Sequence, residues 1–234
     1  MAIYIDSEYQ KKYEKFKEKY QHMYTKEEWA YIEYYFFKDL INDAAPNQMM
    51  QIYAKLDIHP SPADFYHKHL ELVKKHFPID GNVVEVASGN FPVFAEELAK
   101  EQLSLGKGTV TIYEPALFDM TPKYPNMTLH KEEFTEQTDL TGADLVIGIH
   151  ACKATWPILE NAIKNKKDFY LAMCGCDHTP GVEYLDYIDQ SPYYFQKDTI
   201  ELAKRLLQEY PNGELEVTTL KDYPMPYPIL YNKK

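Results

Sequence analysis

The stretch Asn82–Glu114, NVVEVASGNFPVFAEELAKEQLSLGKGTVTIYE, decides the fold of this chain. It begins with the β-branched apolar residues Val83, Val84 and Val86, which predict a strand that is covered on both faces. After a short turn, residues 92–102 repeat apolar side chains at helical spacing. A second apolar strand over 108–114 ends in Glu114. The stretch therefore predicts a buried strand, a tight turn, a helix and a second buried strand.

The turn after the first strand has the composition of a ligand-binding turn. A glycine lets the backbone approach a ligand closely, and serine and asparagine tolerate turn geometry. The helix that follows would present its N-terminus there, and Glu114 at the end of the next strand could accept both hydroxyls of a ribose. This combination predicts a site for a nucleoside-bearing cofactor. The turn residues are Ala87, Ser88, Gly89 and Asn90.

A nicotinamide dehydrogenase is the natural alternative for such a site. Its fingerprint is G-x-G-x-x-G, in which the third glycine allows the helix to pack closely against the strand. The matching positions in this chain are Ala87, Gly89 and Pro92. The sequence therefore argues against a dinucleotide cofactor.

The rest of the chain after Gly81 continues to alternate strands with helices, which predicts a mostly parallel sheet with helices on both faces. The last two predicted strands are joined by only six residues, Lys221 to Pro226, too few for a crossover helix. They should therefore be antiparallel neighbours, and the nearby prolines suit an edge or a turn. The predicted fold is a doubly wound, mostly parallel seven-stranded sheet with a C-terminal antiparallel pair. The further strands are predicted at 127–131, 144–149, 169–173, 215–220 and 227–231, and the further helices at 155–165 (capped by Thr155) and 193–209.

The first 80 residues differ from the rest because they predict helices alone. Aromatic side chains recur there at three- and four-residue spacing, and the last of these helices covers residues 61–76. The pattern changes at Gly81. We therefore expect a helical N-terminal cap over 1–80 and a Rossmann-like domain over 81–234.

Composition restricts the partners. The 234 residues carry a net charge of −11 and include a single arginine, Arg205. Because arginine dominates phosphate and base recognition, a nucleic-acid substrate is disfavoured and a small molecule is favoured. No apolar run approaches the length of a membrane span, and three cysteines are too few for a secreted disulfide framework. These observations predict a cytoplasmic protein.

Residues 80–234 resemble the class I S-adenosylmethionine-dependent methyltransferases. Four segments carry the resemblance, and the antiparallel strand pair after the last helix is a further hallmark of that family. The first segment matches the cofactor-contacting turn, the second the ribose-binding acid, the third the adenine side and the fourth the strand end that faces the methyl group. The segments are Glu85-Val86-Ala87-Ser88-Gly89-Asn90, Tyr113-Glu114, Glu132-Glu133-Phe134, and residues 143–152 with His150.

The resemblance implies a role for each matching residue. Glu114, with Pro115 beside it, would bind the ribose, and Glu133 and Phe134 would lie on the adenine side. His150 would contact the cofactor and serve the acceptor side as a base or an orienting group, since histidine titrates near neutral pH. The implied cofactor is S-adenosylmethionine. The residues implied at its amino-acid end are Glu85, Ala87, Ser88, Gly89 and Asn90.

The chain also departs from the family pattern, and this leaves alternatives open. Ala87 stands where a glycine is usual, and Phe91-Pro92 stands where a further glycine is often found. A non-catalytic binding or scaffold protein with the same fold is therefore one alternative. An RNA methyltransferase is another, although the acidic, nearly arginine-free composition argues against it.

A group of cysteines and histidines follows the fourth and fifth strands, whose ends should be adjacent in such a sheet. Zinc is one conceivable ligand for these side chains. The C-x-C spacing is, however, weaker evidence than C-x-x-C, and cysteines at strand ends are usually small buried apolar residues. We therefore predict no metal. The residues are His150, Cys152, Cys174, Cys176 and His178.

Overall fold

The structure is a computed structural model. It describes residues 14, 17, 18, 22, 63–89, 92–117, 120–173, 192–220 and 228–234. The helices predicted before residue 61 lie outside the described residues, apart from four single positions. The separate N-terminal cap over 1–80 therefore stays a prediction.

Four α-helices and seven strands make up the described chain, in the alternating order that the sequence predicts. The helices are α1 (Ala63–His76), α2 (Val93–Leu105), α3 (Thr155–Lys164) and α4 (Pro192–Glu209). The strands are β1 (Asn82–Val86), β2 (Thr109–Tyr113), β3 (Met127–His130), β4 (Leu145–Ile149), β5 (Asp168–Ala172), β6 (Glu214–Thr218) and β7 (Ile229–Lys233).

All seven strands form one sheet in the order β3-β2-β1-β4-β5-β7-β6. The first five are parallel to their neighbours. Strand β7 is antiparallel to both β5 and β6, which confirms the predicted C-terminal pair. Strand β7 lies inside the sheet and β6 forms the edge, and Pro228, one of the prolines expected at an edge or a turn, lies outside the strand itself. Pro228 immediately precedes β7, and its carbonyl accepts a hydrogen bond from the Met173 backbone N–H at 3.0 Å.

The sheet is covered on both faces, as the valines of β1 predict. Val83 belongs to a core that α1 and α2 complete on one face, whereas Val84 and Val86 belong to a core that α3 and α4 complete on the other. Alternate residues of a strand point to opposite faces. Glu85 is therefore directed toward the α1–α2 face.

Helix α3 starts differently from its prediction. Thr155 is the first helical residue and is buried, and the preceding Ala154 makes no side-chain capping bond. A 3-10 turn over Cys152–Ala154 leads into the helix instead. The helix lies close to the sheet at Gly148, where an added Cβ would come within 2.6 Å of Ile158 Cδ1. Among the described helices, none combines the length and apolar character needed to cross a membrane.

Candidate functional site

The carboxyl ends of the parallel strands form the candidate site. Strand β1 lies between β2 and β4. Helix α2, which connects β1 to β2, packs on one face of the sheet, and α3, which follows β4, packs on the other. The chain therefore changes direction between β1 and β4. In open α/β sheets, ligands bind in the crevice outside the strand ends at this point.

The turn after β1 borders this crevice and has an unusual backbone. Gly89 adopts φ 71°, which glycine accommodates readily, but Ala87 adopts φ 60°. The left-handed conformation costs a non-glycine residue about 1–2 kcal/mol. The Ala87 N–H donates to the Tyr113 carbonyl at 3.0 Å, and Ser88 is buried. Asn90, the fourth predicted turn residue, lies outside the described residues.

Glu114 lies directly after β2 and connects this turn to the next one. Its carboxylate is buried, Oε2 accepts from the Gly89 N–H at 2.9 Å, and Oε1 accepts from the Ala116 N–H at 2.7 Å. Its own backbone N–H donates to the His130 carbonyl at 3.0 Å. The structure thus places the predicted acid and the predicted glycine in direct contact. Pro115, between Glu114 and Ala116, is exposed.

Glu85 is the second buried acid at this edge, and only 2% of its surface is exposed. One carboxyl oxygen accepts from the Ala95 N–H in the first turn of α2, and Oε2 has no hydrogen-bond partner in the described structure. Burial raises the pKa of Glu85 to about 8, the Ala95 N–H opposes the shift, and the acids Glu114 and Glu96 add to it. At pH 7 the side chain is therefore mainly an uncharged carboxylic acid.

Aromatic rings lie at and just after the ends of β2 and β3 and contact one another, and Tyr113 directly precedes Glu114 in the chain. The Tyr113 ring stacks on the His130 ring at a centroid distance of 4.6 Å, and Phe134 meets Tyr113 edge-on at 5.8 Å. Phe134 is buried, as an adenine-side residue would be, but the side chain of Glu133 is exposed. The Asn161 side chain of α3 donates to the carbonyls of residues 135 and 138 at 2.9 and 2.8 Å, which fixes the loop that follows Phe134.

The end of β4 carries the predicted acceptor-side residue, His150. This residue and Cys152 both have left-handed backbones, with φ 55° and 46°. The His150 N–H donates to the Ala172 carbonyl of β5 at 2.9 Å, and the Cys152 thiol donates to the His150 carbonyl at 3.3 Å. Strained non-glycine residues concentrate at functional sites because a binding site can require a backbone shape that folding alone disfavours.

Helix α1 contributes a histidine that the sequence interpretation missed. His69 is buried, and its Nδ1 atom forms a 2.6 Å hydrogen bond with the Tyr170 hydroxyl of β5. Burial, and after it the positive charge that His150 can carry, lower the pKa of His69 well below its ordinary value. The signal was present in the sequence, since His69 lies three residues after the buried Tyr66 and four before the buried Val73, at helical spacing from both.

Of two further contacts at the site, one could have been predicted from the sequence and the other could not. The stack of Tyr113 on His130 could have been found, because both residues end neighbouring parallel strands. The Ala116 N–H had no signal, since any residue other than proline supplies such a donor.

The possible metal ligands are only partly described. Cys174, Cys176 and His178 lie outside the described residues. Strands β4 and β5 are neighbours, as expected, so their carboxyl ends lie side by side. Within the described part of the chain, no group of three or more histidine, cysteine or acidic residues could hold a metal ion. The absence of a metal at the full cluster stays a prediction.

Comparisons with known proteins find likeness in structure alone. No protein-family model matches the sequence, and no curated protein matches it. A S-adenosylmethionine-dependent methyltransferase from Aquifex aeolicus is 18% identical, with a TM-score of 0.47, over 80% of this chain and 97% of its own. The CurJ carbon methyltransferase is 12% identical, with a TM-score of 0.46, over 85% of this chain and 61% of its own. The plantazolicin methyltransferase BpumL, solved with S-adenosylhomocysteine, is 10% identical, with a TM-score of 0.45, over 88% and 98%.

These structures are similar to this chain in fold, and at TM-scores below 0.5 they carry no conclusion about its family. At such low identities a shared fold does not define an activity, because one fold supports many functions. The activity of this chain must therefore be inferred from the chemistry of its own residues.

Proposed function

We propose that this chain is a S-adenosylmethionine-dependent methyltransferase that acts on a small-molecule acceptor. The observation that carries the proposal is the buried Glu114 carboxylate, held by the Gly89 and Ala116 N–H groups at the carboxyl end of β2. A carboxylate has about four acceptor positions, so two backbone bonds leave room for two more. A fixed carboxylate of this kind suits the adjacent hydroxyls of a ribose.

The turn after β1 fits the amino-acid end of the cofactor. Gly89 and Ala87 hold the backbone in a shape that brings it close to a ligand, and Ser88 and Asn90 add polar groups. Glu85 lies beneath this turn, with a buried oxygen atom that no described residue satisfies. An orphaned buried acceptor is costly unless a ligand uses it. The buried carboxyl oxygen of Glu85 and the polar groups of the turn therefore fit a ligand with a cationic amino group.

The aromatic side of the crevice fits the adenine. Phe134 and Tyr113 present apolar surface next to Glu114, so that the base would lie beside the ribose site. We assign Phe134 to the wall of this pocket. We assign the exposed Glu133 and Pro115 to its rim, where they would contact the edge of the bound nucleoside.

The chemistry requires positioning more than acid–base catalysis. When bound, S-adenosylmethionine supplies an electrophilic methyl group on a sulfonium, which leaves as a neutral thioether. The chain would hold an acceptor atom in line with that methyl group, and positioning alone can supply a large part of the rate. His150, at the end of β4, would orient the acceptor and take a proton from it where the acceptor carries one.

The acceptor class follows from charge. A net charge of −11 and a single arginine disfavour a large polyanionic substrate, because phosphate binding depends on clustered cations. We therefore propose a small-molecule acceptor. The three cysteines without a disulfide framework are consistent with a cytoplasmic location.

Isothermal titration calorimetry with S-adenosylmethionine and S-adenosylhomocysteine tests the proposal. We expect both ligands to bind, and we expect Glu114→Ala to weaken binding by about 1.5–3 kcal/mol, the contribution of hydrogen bonds to a charged group. That loss corresponds to roughly 10- to 150-fold in affinity. Glu136→Ala, an exposed acid on the loop after Phe134, is the matched control and should bind as the unmodified protein does.

Two results would contradict the proposal in different ways. If the unmodified chain binds neither ligand, the cofactor assignment is wrong. If it binds both but transfers no methyl group to any member of a broad panel of small nucleophiles, the non-catalytic alternative is favoured.

A further inference from the structure

Among the described residues, no positively charged side chain acts on Glu85. In the sheet it is flanked by Ile112 of β2 and Ile147 of β4, both fully buried. The charged groups of the described residues that act on it are Glu114 and Glu96, both acidic. Glu96 already pairs with Lys123 at 2.7 Å on the surface. No described cation therefore compensates a charge on Glu85.

A buried carboxylate without a cation is strongly disfavoured, so such a group stays protonated. The N-terminus of α2 works in the opposite direction, because the Ala95 N–H and the helix dipole both favour the ionised form. Burial has the larger effect, since the pKa of Glu85 is raised to about 8. Burial without a described cation therefore keeps Glu85 neutral before a ligand binds.

We propose that Glu85 is a neutral carboxylic acid in the ligand-free protein and releases its proton when a positively charged ligand binds. This inference rests on the proposed function, in which the ligand carries an ammonium group at its amino-acid end. On binding, the O–H bond of the carboxylic acid breaks, the proton passes to the buffer, and the new carboxylate pairs with the ligand cation. The unsatisfied Oε2 atom gains its partner in the same step.

The consequence is a defined dependence on pH. With a pKa of about 8, about nine of ten Glu85 side chains are protonated at pH 7, so binding should release close to one proton. Below pH 8, the affinity for a cationic ligand should fall by about tenfold for each pH unit, until the pKa of Glu85 in the complex is reached. A neutral nucleoside that lacks the amino-acid end should show neither effect.

The experiment compares S-adenosylhomocysteine with the neutral nucleoside 5′-methylthioadenosine. Calorimetry of both ligands at pH 7, in phosphate and in Tris, gives the number of protons released, because the two buffers differ in ionisation enthalpy. The control is Glu85→Gln, which keeps an acceptor for the Ala95 N–H but cannot ionise. This control is needed because a free α-amino group itself titrates at about 7.7–8.0.

We expect S-adenosylhomocysteine to release close to one proton more than 5′-methylthioadenosine from the unmodified protein. In Glu85→Gln that difference should vanish. The substitution should also lower the affinity for S-adenosylhomocysteine at least tenfold at pH 8, while the affinity for 5′-methylthioadenosine should change less than twofold. A thermal unfolding curve establishes that the variant is folded.

Equal proton counts for the two ligands on the unmodified protein would overturn the inference and leave the proposed function intact. An unchanged affinity of Glu85→Gln for S-adenosylhomocysteine would do the same. Failure of both ligands to bind would instead overturn the proposed function. If the variant does not fold, the comparison of the two ligands on the unmodified protein still decides whether binding of the cationic ligand releases a proton.

Discussion

The amino ends and the carboxyl ends of the parallel strands form two opposite borders of the sheet, called here the amino edge and the carboxyl edge. These two edges use their polar groups differently. At the amino edge, side chains satisfy the backbone and one another. The Gln102 amide donates to the carbonyls of Ile79 and Gly81 at 2.8 and 3.0 Å, and the Asn82 N–H donates to Asp144 at 2.8 Å. At the carboxyl edge, Glu85 retains a buried oxygen without a described partner. The amino edge also leaves one buried polar atom without a described partner, the amide oxygen of Asn126, but at the carboxyl edge the unpaired atom belongs to an ionisable acid.

The backbone shows the same contrast. Positive φ angles near the amino edge fall mainly on glycines: Gly106, Gly108, Gly142 and Gly213. At the carboxyl edge they also fall on Ala87, His150 and Cys152, where a side chain makes them costly. Lys166 is an exception at the amino edge, but it follows the end of α3, where left-handed residues commonly terminate helices. Strain on residues other than glycine therefore concentrates at the ligand-binding edge.

The largest expected effect concerns Glu85 and the stability of the ligand-free protein. The native pKa of about 8 lies above the reference value of 4.5, so between these values the native state holds a proton that the unfolded state has lost. Stability should therefore fall as the pH rises from about 4.5 to 8, by on the order of 4 kcal/mol. Urea unfolding across this range measures the slope, and Glu85→Gln should remove this contribution. Equal slopes in both proteins would show that Glu85 is not buried as described.

The next effect tests the structural role of the amino edge. Gln102→Ala removes the side-chain donor of the buried Ile79 carbonyl, whereas the Gly81 carbonyl keeps the Thr109 N–H, so the substitution should cost about 1–3 kcal/mol. Urea unfolding measures the loss. The control is the neighbouring Glu101→Ala, which removes only a surface ion pair with Lys74 and should cost about 1 kcal/mol or less. Folded Gln102→Ala should bind S-adenosylhomocysteine normally. A large loss of binding would mean that the two edges are coupled.

The smallest effect tests the strain at the carboxyl edge. Ala87→Gly relieves a left-handed alanine but adds entropy to the unfolded chain, so we expect a net stabilisation of roughly 0.5–1 kcal/mol. Ala99→Gly, in the interior of α2, is the opposite case and should destabilise by about 1 kcal/mol or more. Thermal unfolding compares the two variants. If Ala87→Gly destabilises as much as Ala99→Gly, residue 87 is not strained.

Much of the fold could be predicted because hydrophobic periodicity directly reflects burial. The valines of β1 indicated a strand covered on both faces, and the short connection after residue 220 indicated the antiparallel pair. The start of α3 was predicted wrongly, because Thr155 has the composition of a cap but lies inside the helix. Local composition could not show that a 3-10 turn precedes it.

The candidate site was predicted less completely, because its residues meet through tertiary contacts. Gly89 and Glu114 were each assigned from their local motif, and their hydrogen bond joins them across the two turns. The bond between His69 and Tyr170 connects residues 101 positions apart, and no local pattern could indicate it. The roles assigned to the turn residues, to Glu133 and to His150 stay predictions that the proposed measurements address.

The sequence by itself determined the alternation of elements, the antiparallel pair at the C-terminal end of the sheet, and the position of an acid at the end of β2. These features depend on periodicity and on strand ends, which are local properties of the chain. Only the tertiary structure decided the chemical state of Glu85. The pKa of a carboxyl depends on solvent access and on neighbouring charges, and here both come from α2 and from Glu114, which fold over the strand from elsewhere in the chain.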